Sequence, residues 1–273
     1  MFVFSKWDGF CKFIFDNKLK CIRADEIQVQ IPDSKWIAIK HDVETDVNKA
    51  LQMAKIECKY GIRATYYVQS YLLESNSSVL SDIQSLGHEV SYHYDVLDAN
   101  NGDYESAIKE FSATLLKFES LGFKINTICP HGNPVMIRSG WNSNKDFFKN
   151  INVRDLFPGI FDVVVDSKSN ITEGFVYISD AGYGWKKIGN VYDNDKRNIG
   201  DSDLQSIEGV VSELECDGRF IISCHPHRWE RSKIKATYNL YLFKMIKCVV
   251  KPLLRVGVIK KSLSNFYYLA KKL

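Results

Sequence analysis

The stretch Trp36-Ile37-Ala38-Ile39-Lys40-His41-Asp42-Val43-Glu44 decides how this chain reads. It opens on four apolar, branched or aromatic residues, the pattern of a strand buried on both faces. It then delivers a histidine and two carboxylates at its carboxyl end. Asp42 and Glu44 are two residues apart, so an extended backbone puts both on one face. Two carboxylates on one face repel each other unless a cation or a proton lies between them. Acids here could instead favour the positive end of a following helix. We assign that capping role to Asp46 and a functional role to Asp42 and Glu44.

The same design recurs downstream. All six histidines sit in four motifs that close strand-like runs: His41 above, His88 and His93 in HEVSYHYD, His131 in INTICPHGNP, and His225 and His227 in RFIISCHPHRW; His88 lies five residues before His93, near the opposite end of its run, and reads as a structural or surface histidine. Strand runs are expected at Trp36–His41, Arg63–Gln69, His88–His93, Ile125–Cys129, Phe161–Val165, Phe175–Ile178 and Arg219–Cys224. Between most of them, apolar residues step at helical spacing: Val47, Leu51, Ala54, Cys58; Ile108, Phe111, Leu115, Phe118; Leu204, Ile207, Val211, Leu214. Gly61, Gly87 and Gly122 suit helix ends, and Asp46 and Asp103 suit helix starts. Alternating strands and helices predict a parallel sheet with seven strands, whose carboxyl ends converge on one rim. The pattern reads as one polar site with a metal. About nine residues separate the fifth and sixth runs, too few for a helix.

Composition sets the outer bounds. The 273 residues are 45% hydrophobic and 25% charged, as expected of a globular α/β chain. Net charge is +3, unevenly placed. From Arg228 onward there are 12 Lys/Arg and one acid, Glu230; the other 24 Lys/Arg and 32 Asp/Glu leave the body at −8. A basic tail suits an anionic membrane surface or an acidic partner, or equally a solvated amphipathic helix on the domain. Seven cysteines without metal-type spacing fit free thiols in a reducing compartment. MFVFSKWDGF is not expected to be a secretory signal, and no run is long and apolar enough to cross a bilayer. The expected location is cytoplasmic, with peripheral contact to the inner membrane through the tail. Nucleic acid is not an expected partner.

In order, IAIKHDVE, KYGIRATYYV, SLGHEVSYHYD, PHGNP and ISCHPHRW resemble the polysaccharide deacetylase family, carbohydrate esterase family 4. The resemblance runs from Trp36 to Trp229. It implies a distorted (β/α)7 barrel, a divalent metal (zinc the expected ion), and hydrolysis of an N- or O-acetyl group on a sugar. Carried over residue by residue, it makes Asp42 the base, Glu44 and His93 metal ligands, and His225 the general acid. The chain departs from the pattern in places. Val43 separates the two acids, which the family usually has adjacent. Leu97 stands where a second metal-binding histidine is expected, so His131 or Asp95 would complete the ligand set. The arginine expected near the proline-glycine loop is absent around Ile128–His131. Divergent branches of this kind accompany surface-polysaccharide or lipopolysaccharide assembly, with a nucleotide- or lipid-linked saccharide as substrate.

Substrate contacts are expected from Asn133, His227 and Trp229, and from Asp180, Tyr183 and Trp185 in a glycine- and aromatic-rich loop. The expected organisation is a catalytic barrel at 1–230, capped by a short N-terminal segment, with a basic helical extension at 231–273 that Pro252 breaks into two helices. Two rival functions remain: a metal-dependent hydrolase of another bond, such as a phosphoester, and a sugar-binding relative that has lost its metal.

Overall fold

The computed structural model describes residues 1–29, 35–133, 136–167, 175–189 and 202–253. Ten strands lie in one sheet: β1 (Cys21–Ile22), β2 (Trp36–Val43), β3 (Thr65–Val68), β4 (Glu89–Tyr94), β5 (Thr127–Pro130), β6 (Phe161–Asp162), β7 (Phe175–Ser179), β8 (Lys186–Ile188), β9 (Ser202–Asp203) and β10 (Arg219–Cys224). Their order is β6-β5-β4-β3-β2-β10-β7-β8-β9, with β1 beside β2. The seven strands from β6 to β7 are parallel and correspond to the seven runs expected from sequence. Their neighbours follow the cyclic order of a seven-strand barrel, but the sheet is not closed: β6 and β7 do not pair. β8 and β9 extend it in antiparallel fashion beyond β7.

The side-chain alternation of β2 divides the core. Trp36 and Ala38 face the concave interior with Ile22, Tyr67, Cys129, Tyr177 and Ile221. Ile37, Ile39 and Val43 face the larger outer layer, where the helices pack. Every residue of β2 is buried, as expected for a central parallel strand.

The helix Val47–Lys59 is capped by Asp46, whose carboxylate accepts from Lys49 N at 3.2 Å, and the helix Tyr104–Ser120 by Asp103, which accepts from Ser106 N at 3.2 Å. The buried face of the first differs from the apolar spacing. Leu51 and Cys58 are only half-buried, while Ala50, Met53, Ala54 and the charged Glu57 are buried. Glu57 can be there because it is fully paired. Trp7 Nε1 (3.1 Å) and His41 Nε2 (2.7 Å) donate to one oxygen, and Tyr66 OH (2.7 Å) to the other.

β6 is shorter than the expected Phe161–Val165. Asp162 Oδ1 accepts from the N–H groups of Val164 and Val165, both at 2.9 Å, which turns the chain off the ladder. The connection before β7, expected to lack a helix, turns helical at Asp166 and Ser167; residues 168–174 lie outside the described residues. The tail forms one helix, Lys233–Leu253, with Pro252 in its last turn. The second tail helix expected beyond Pro252 also lies outside them. Among the described residues no helix is long and apolar enough to cross a membrane.

Candidate active site

The site is built where the inward-facing rows of β2, β4, β5 and β10 run off their carboxyl ends. On β2 that row is Lys40 and Asp42, with Glu44 just beyond the strand's end; on β4 it ends at His93. His131 follows β5, and His225 follows β10. Parallel register brings these residues together: Lys40 pairs with Thr65 and Ser223, and His93 with Cys129.

Glu44, His93 and His131 present ligand atoms that all lie within 4.8 Å of one another. Glu44 Oε1 is 3.4 Å from His131 Nε2, and the two imidazole rings stand nearly perpendicular, 5.2 Å apart. His93 Nδ1 lies 3.0 Å from the Cys129 carbonyl. A carbonyl can only accept, so Nδ1 carries the proton and Nε2 presents its lone pair to the site, the arrangement metal-binding histidines use. Burial pushes the His93 imidazole down to about 4, so it is neutral, as a ligand must be. The position of His131 is set by its backbone N–H, which donates to Tyr94 O at 2.7 Å, and by Asn144, whose side chain donates to His131 O at 2.9 Å. One carboxylate and two imidazoles at this spacing could hold a divalent metal ion. Asp95 stands beside His131, its Oδ2 3.9 Å from Nδ1, and lies outside the Glu44-His93-His131 group.

A second acid-imidazole-thiol group, Asp42, His93 and Cys129, has similar spacing. It already holds a cation. Lys40 Nζ lies 2.7 and 2.8 Å from the two oxygens of Asp42 and 3.3 Å from Cys129 Sγ, with the rings of Tyr67 and Tyr177 5.8 and 5.9 Å away. Burial raises the Asp42 carboxyl, but Lys40, with His93 and His225 behind it, prevails and holds it well below the usual carboxylate range. Asp42 is therefore ionised, accepts from Ser223 Oγ at 3.2 Å, and is the charged neighbour of the ligand set.

His225 closes the site. Its Nε2 lies 3.8 Å from both Asp42 Oδ2 and Glu44 Oε1. Its Nδ1 lies 2.5 Å from Asp180 Oδ1, and its backbone N–H donates to Asp180 Oδ2 at 3.0 Å. The short contact to a carboxylate assigns the proton to Nδ1. Arg228 Nη1 donates to Asp180 Oδ1 at 2.9 Å and to its carbonyl at 2.7 Å. Burial works against the Asp180 charge, but His225 and Arg228 outweigh it and keep the carboxyl below its ordinary value.

The structure thus brings Asp42, Glu44, His93, His131 and His225 together. Several expected substrate contacts are redirected. Asp180 is fully buried and serves His225. Trp229 is 0% exposed, packed edge-on against Phe2 and Trp7, and Trp185 is buried beside it. Neither offers a face to a sugar, because the N-terminal segment covers them: Val3 bridges to Glu230. Asn133 is buried at the rim, and its carbonyl accepts from Arg138. His227 and Tyr183 are half-buried, His227 with its ring 5.9 Å from His225. Nor do all six histidines share the site. His41 points to the outer layer, and His88 binds backbone there, accepting from Ala64 N and donating to Ala54 O, both at 3.1 Å.

Sequence reasoning overlooked Lys40 and Arg228. The signal for Lys40 was present: a lysine inside an apolar strand, on the same face as an acid two residues later.

No family model and no curated protein matches the chain. Similar solved structures include a CE4 family pseudoenzyme from Bacillus anthracis (13% identity, TM-score 0.45, covering 79% of this chain and 62% of that one). Another is the catalytic domain of a peptidoglycan N-acetylglucosamine deacetylase from Eubacterium rectale (12%, TM-score 0.45, 77% and 84%). A third is a family 4 carbohydrate esterase from Streptomyces lividans in complex with acetate (15%, TM-score 0.41, 77% and 88%). The chain spans less than two-thirds of the length of the Bacillus anthracis protein. At such identities and TM-scores these likenesses decide nothing about the chemistry.

Proposed function

We propose that the protein is a metal-dependent hydrolase that removes an acetyl group from a sugar, by N- or O-deacetylation. The observation that carries this is the meeting of a Glu44-His93-His131 ligand set with Asp42 and the Asp180-anchored His225. The sequence resemblance to polysaccharide deacetylases points the same way.

Glu44, His93 and His131 would hold a divalent cation, zinc by their donor types. When bound, that ion supplies Lewis acidity at the scissile carbonyl and at the attacking water. Asp42, kept ionised by Lys40, takes the water's proton as the oxygen adds to the acetyl carbon. His225, protonated on both nitrogens with Nδ1–H held by Asp180, gives its Nε2 proton to the departing sugar nitrogen or oxygen, and the proton on Asp42 then passes back to Nε2. The C–N or C–O bond then breaks, leaving acetate and the free amine or alcohol. Asp180 stabilises the charged imidazole between these events. Each of the two proton-transfer groups contributes about 10²–10⁴-fold.

The substrate class we favour is a nucleotide- or lipid-linked saccharide in surface-polysaccharide assembly, handled in the cytoplasm. All seven cysteines are free, which fits a reducing compartment. Residues 1–230 would be the catalytic unit, with 231–273 as its extension.

The test is acetate release from N- and O-acetylated sugars by the zinc-loaded protein, alongside phosphate esters as competitors. Acetate release that Asp42→Asn abolishes supports the reading. Phosphate release without acetate release overturns it in favour of a phosphoesterase, and stoichiometric sugar binding without turnover or bound metal overturns it in favour of a binding protein.

A further inference from the structure

The tail helix Lys233–Leu253 touches the body along one narrow line. Ala236 is buried, and Phe243 stacks on Tyr183 with ring centroids 4.8 Å apart. On the opposite side stand Ile234, Tyr238, Tyr241, Met245 and Val249, each 61–85% exposed. Their steps of four, three, four and four place them in one continuous stripe. Apolar side chains lined up on the outer face of a helix do not stabilise the fold to which that helix belongs.

The charges beside the stripe indicate what covers it. The helix carries five lysines and no acid. Lys233, Lys244 and Lys247 are exposed, with Lys244 Nζ 5.8 Å from the Tyr241 ring. Eleven of the chain's 36 basic residues lie between Arg231 and Leu273, with no acid among them, on a protein whose body is net negative. An apolar stripe bordered by lysines and containing two tyrosines matches the water–lipid boundary of an anionic bilayer: apolar groups enter the headgroup region, and the ammonium groups meet lipid phosphates. Pairing two copies through the same stripe would instead bring lysine-rich, acid-free helices together.

We propose that helix Lys233–Leu253 is a membrane-docking element that binds anionic lipid surfaces through Tyr238, Tyr241 and Met245, with Lys244 and Lys247 at its edge. The inference is independent of the hydrolase reading. It bears on that reading through position. The helix starts eight residues after His225, and its Phe243 packs on the loop that follows Asp180. Docking would hold the rim of the site close to the bilayer.

Co-sedimentation of the full chain with vesicles of phosphatidylcholine, with and without phosphatidylglycerol, tests this. The expected result is binding to the anionic vesicles, weak binding to the neutral ones, and release by high salt. Each lysine near the surface strengthens binding roughly fivefold, so Lys244→Glu with Lys247→Glu should lower the affinity at least about tenfold. Tyr238→Asp with Met245→Asp should lower it comparably, while circular dichroism shows both double variants folded. Absence of binding to anionic vesicles, or equal binding to both lipids, overturns the proposal. A dimer in light scattering that Tyr238→Asp dissolves, without vesicle binding, assigns the stripe to a second copy and likewise overturns it.

Discussion

Lys40 Nζ lies 2.7 and 2.8 Å from the two oxygens of Asp42, two residues along the same strand, and both side chains are buried. The pair neutralises itself inside the sheet, and that is how a carboxylate persists there. Removing one partner leaves the other as an uncompensated buried charge. Lys40→Met should therefore cost about 3–5 kcal/mol in urea unfolding. The double variant Lys40→Met, Asp42→Asn should recover most of that loss, because neither charge remains. A single variant as stable as the parent would show that the pair does not hold the charge.

Asp180 touches His225 and Arg228 and is wholly buried, so its effect on turnover passes through His225. Asp180→Asn should lower kcat about 10²–10³-fold with KM nearly unchanged. A fall confined to KM would make Asp180 a substrate contact instead. Steady-state kinetics on an acetylated sugar separates the two outcomes.

Glu44, His93 and His131 should bind one divalent ion per chain. Elemental analysis of the purified protein should find it, and a chelator should lower Tm. Zinc at about 100 times its Kd adds roughly 2.7 kcal/mol of stability. Glu44→Gln and His93→Ala should each abolish that gain, whereas Asp95→Asn should only weaken it. An unchanged Tm on adding zinc to the parent protein would remove the metal centre.

Glu89 sits at the opposite end of the interior from the site, accepting from the hydroxyls of Thr65 at 2.7 Å and Thr127 at 2.8 Å. Burial, aided by Asp25, pushes its carboxyl up to about 7. Between the unfolded value near 4.5 and about 7, the unfolded chain has released a proton that the folded chain keeps. Stability therefore falls as pH rises through that window, by about 3 kcal/mol in all, and is level above it. Glu89→Gln should flatten this part of the stability–pH curve and be the more stable protein at pH 8. Equal slopes in chemical denaturation from pH 4.5 to 7 would count against it.

Much of the sheet could be read from local pattern. Seven runs of branched and aromatic residues became the seven parallel strands, and Asp46 and Asp103 became helix caps. These features depend on neighbours within a few residues. What escaped reading depends on pairing across the fold. Glu57 broke the apolar spacing of its helix because His41, Tyr66 and Trp7 converge on it. Trp229 reads as a sugar platform from its position after His227, but Phe2 and Trp7 cover it. Antiparallel β8 and β9 are too short to show a period of their own.

The order of residues alone determined that Lys40 and Asp42 share one face of a strand, with Glu44 following in step, since side chains alternate along an extended backbone wherever that strand lies. It equally placed His93, His131 and His225 at or just past the carboxyl ends of their strands, because both facts are local. Only the tertiary structure decided which of the chain's histidines meet the carboxylates. Strand register and loop closure bring His93, His131 and His225 to Asp42 and Glu44 from 49 to 183 residues away, and they turn His41 and His88 into the opposite layer. Such distances in sequence are bridged by backbone pairing and core packing, and no short stretch of the chain encodes those.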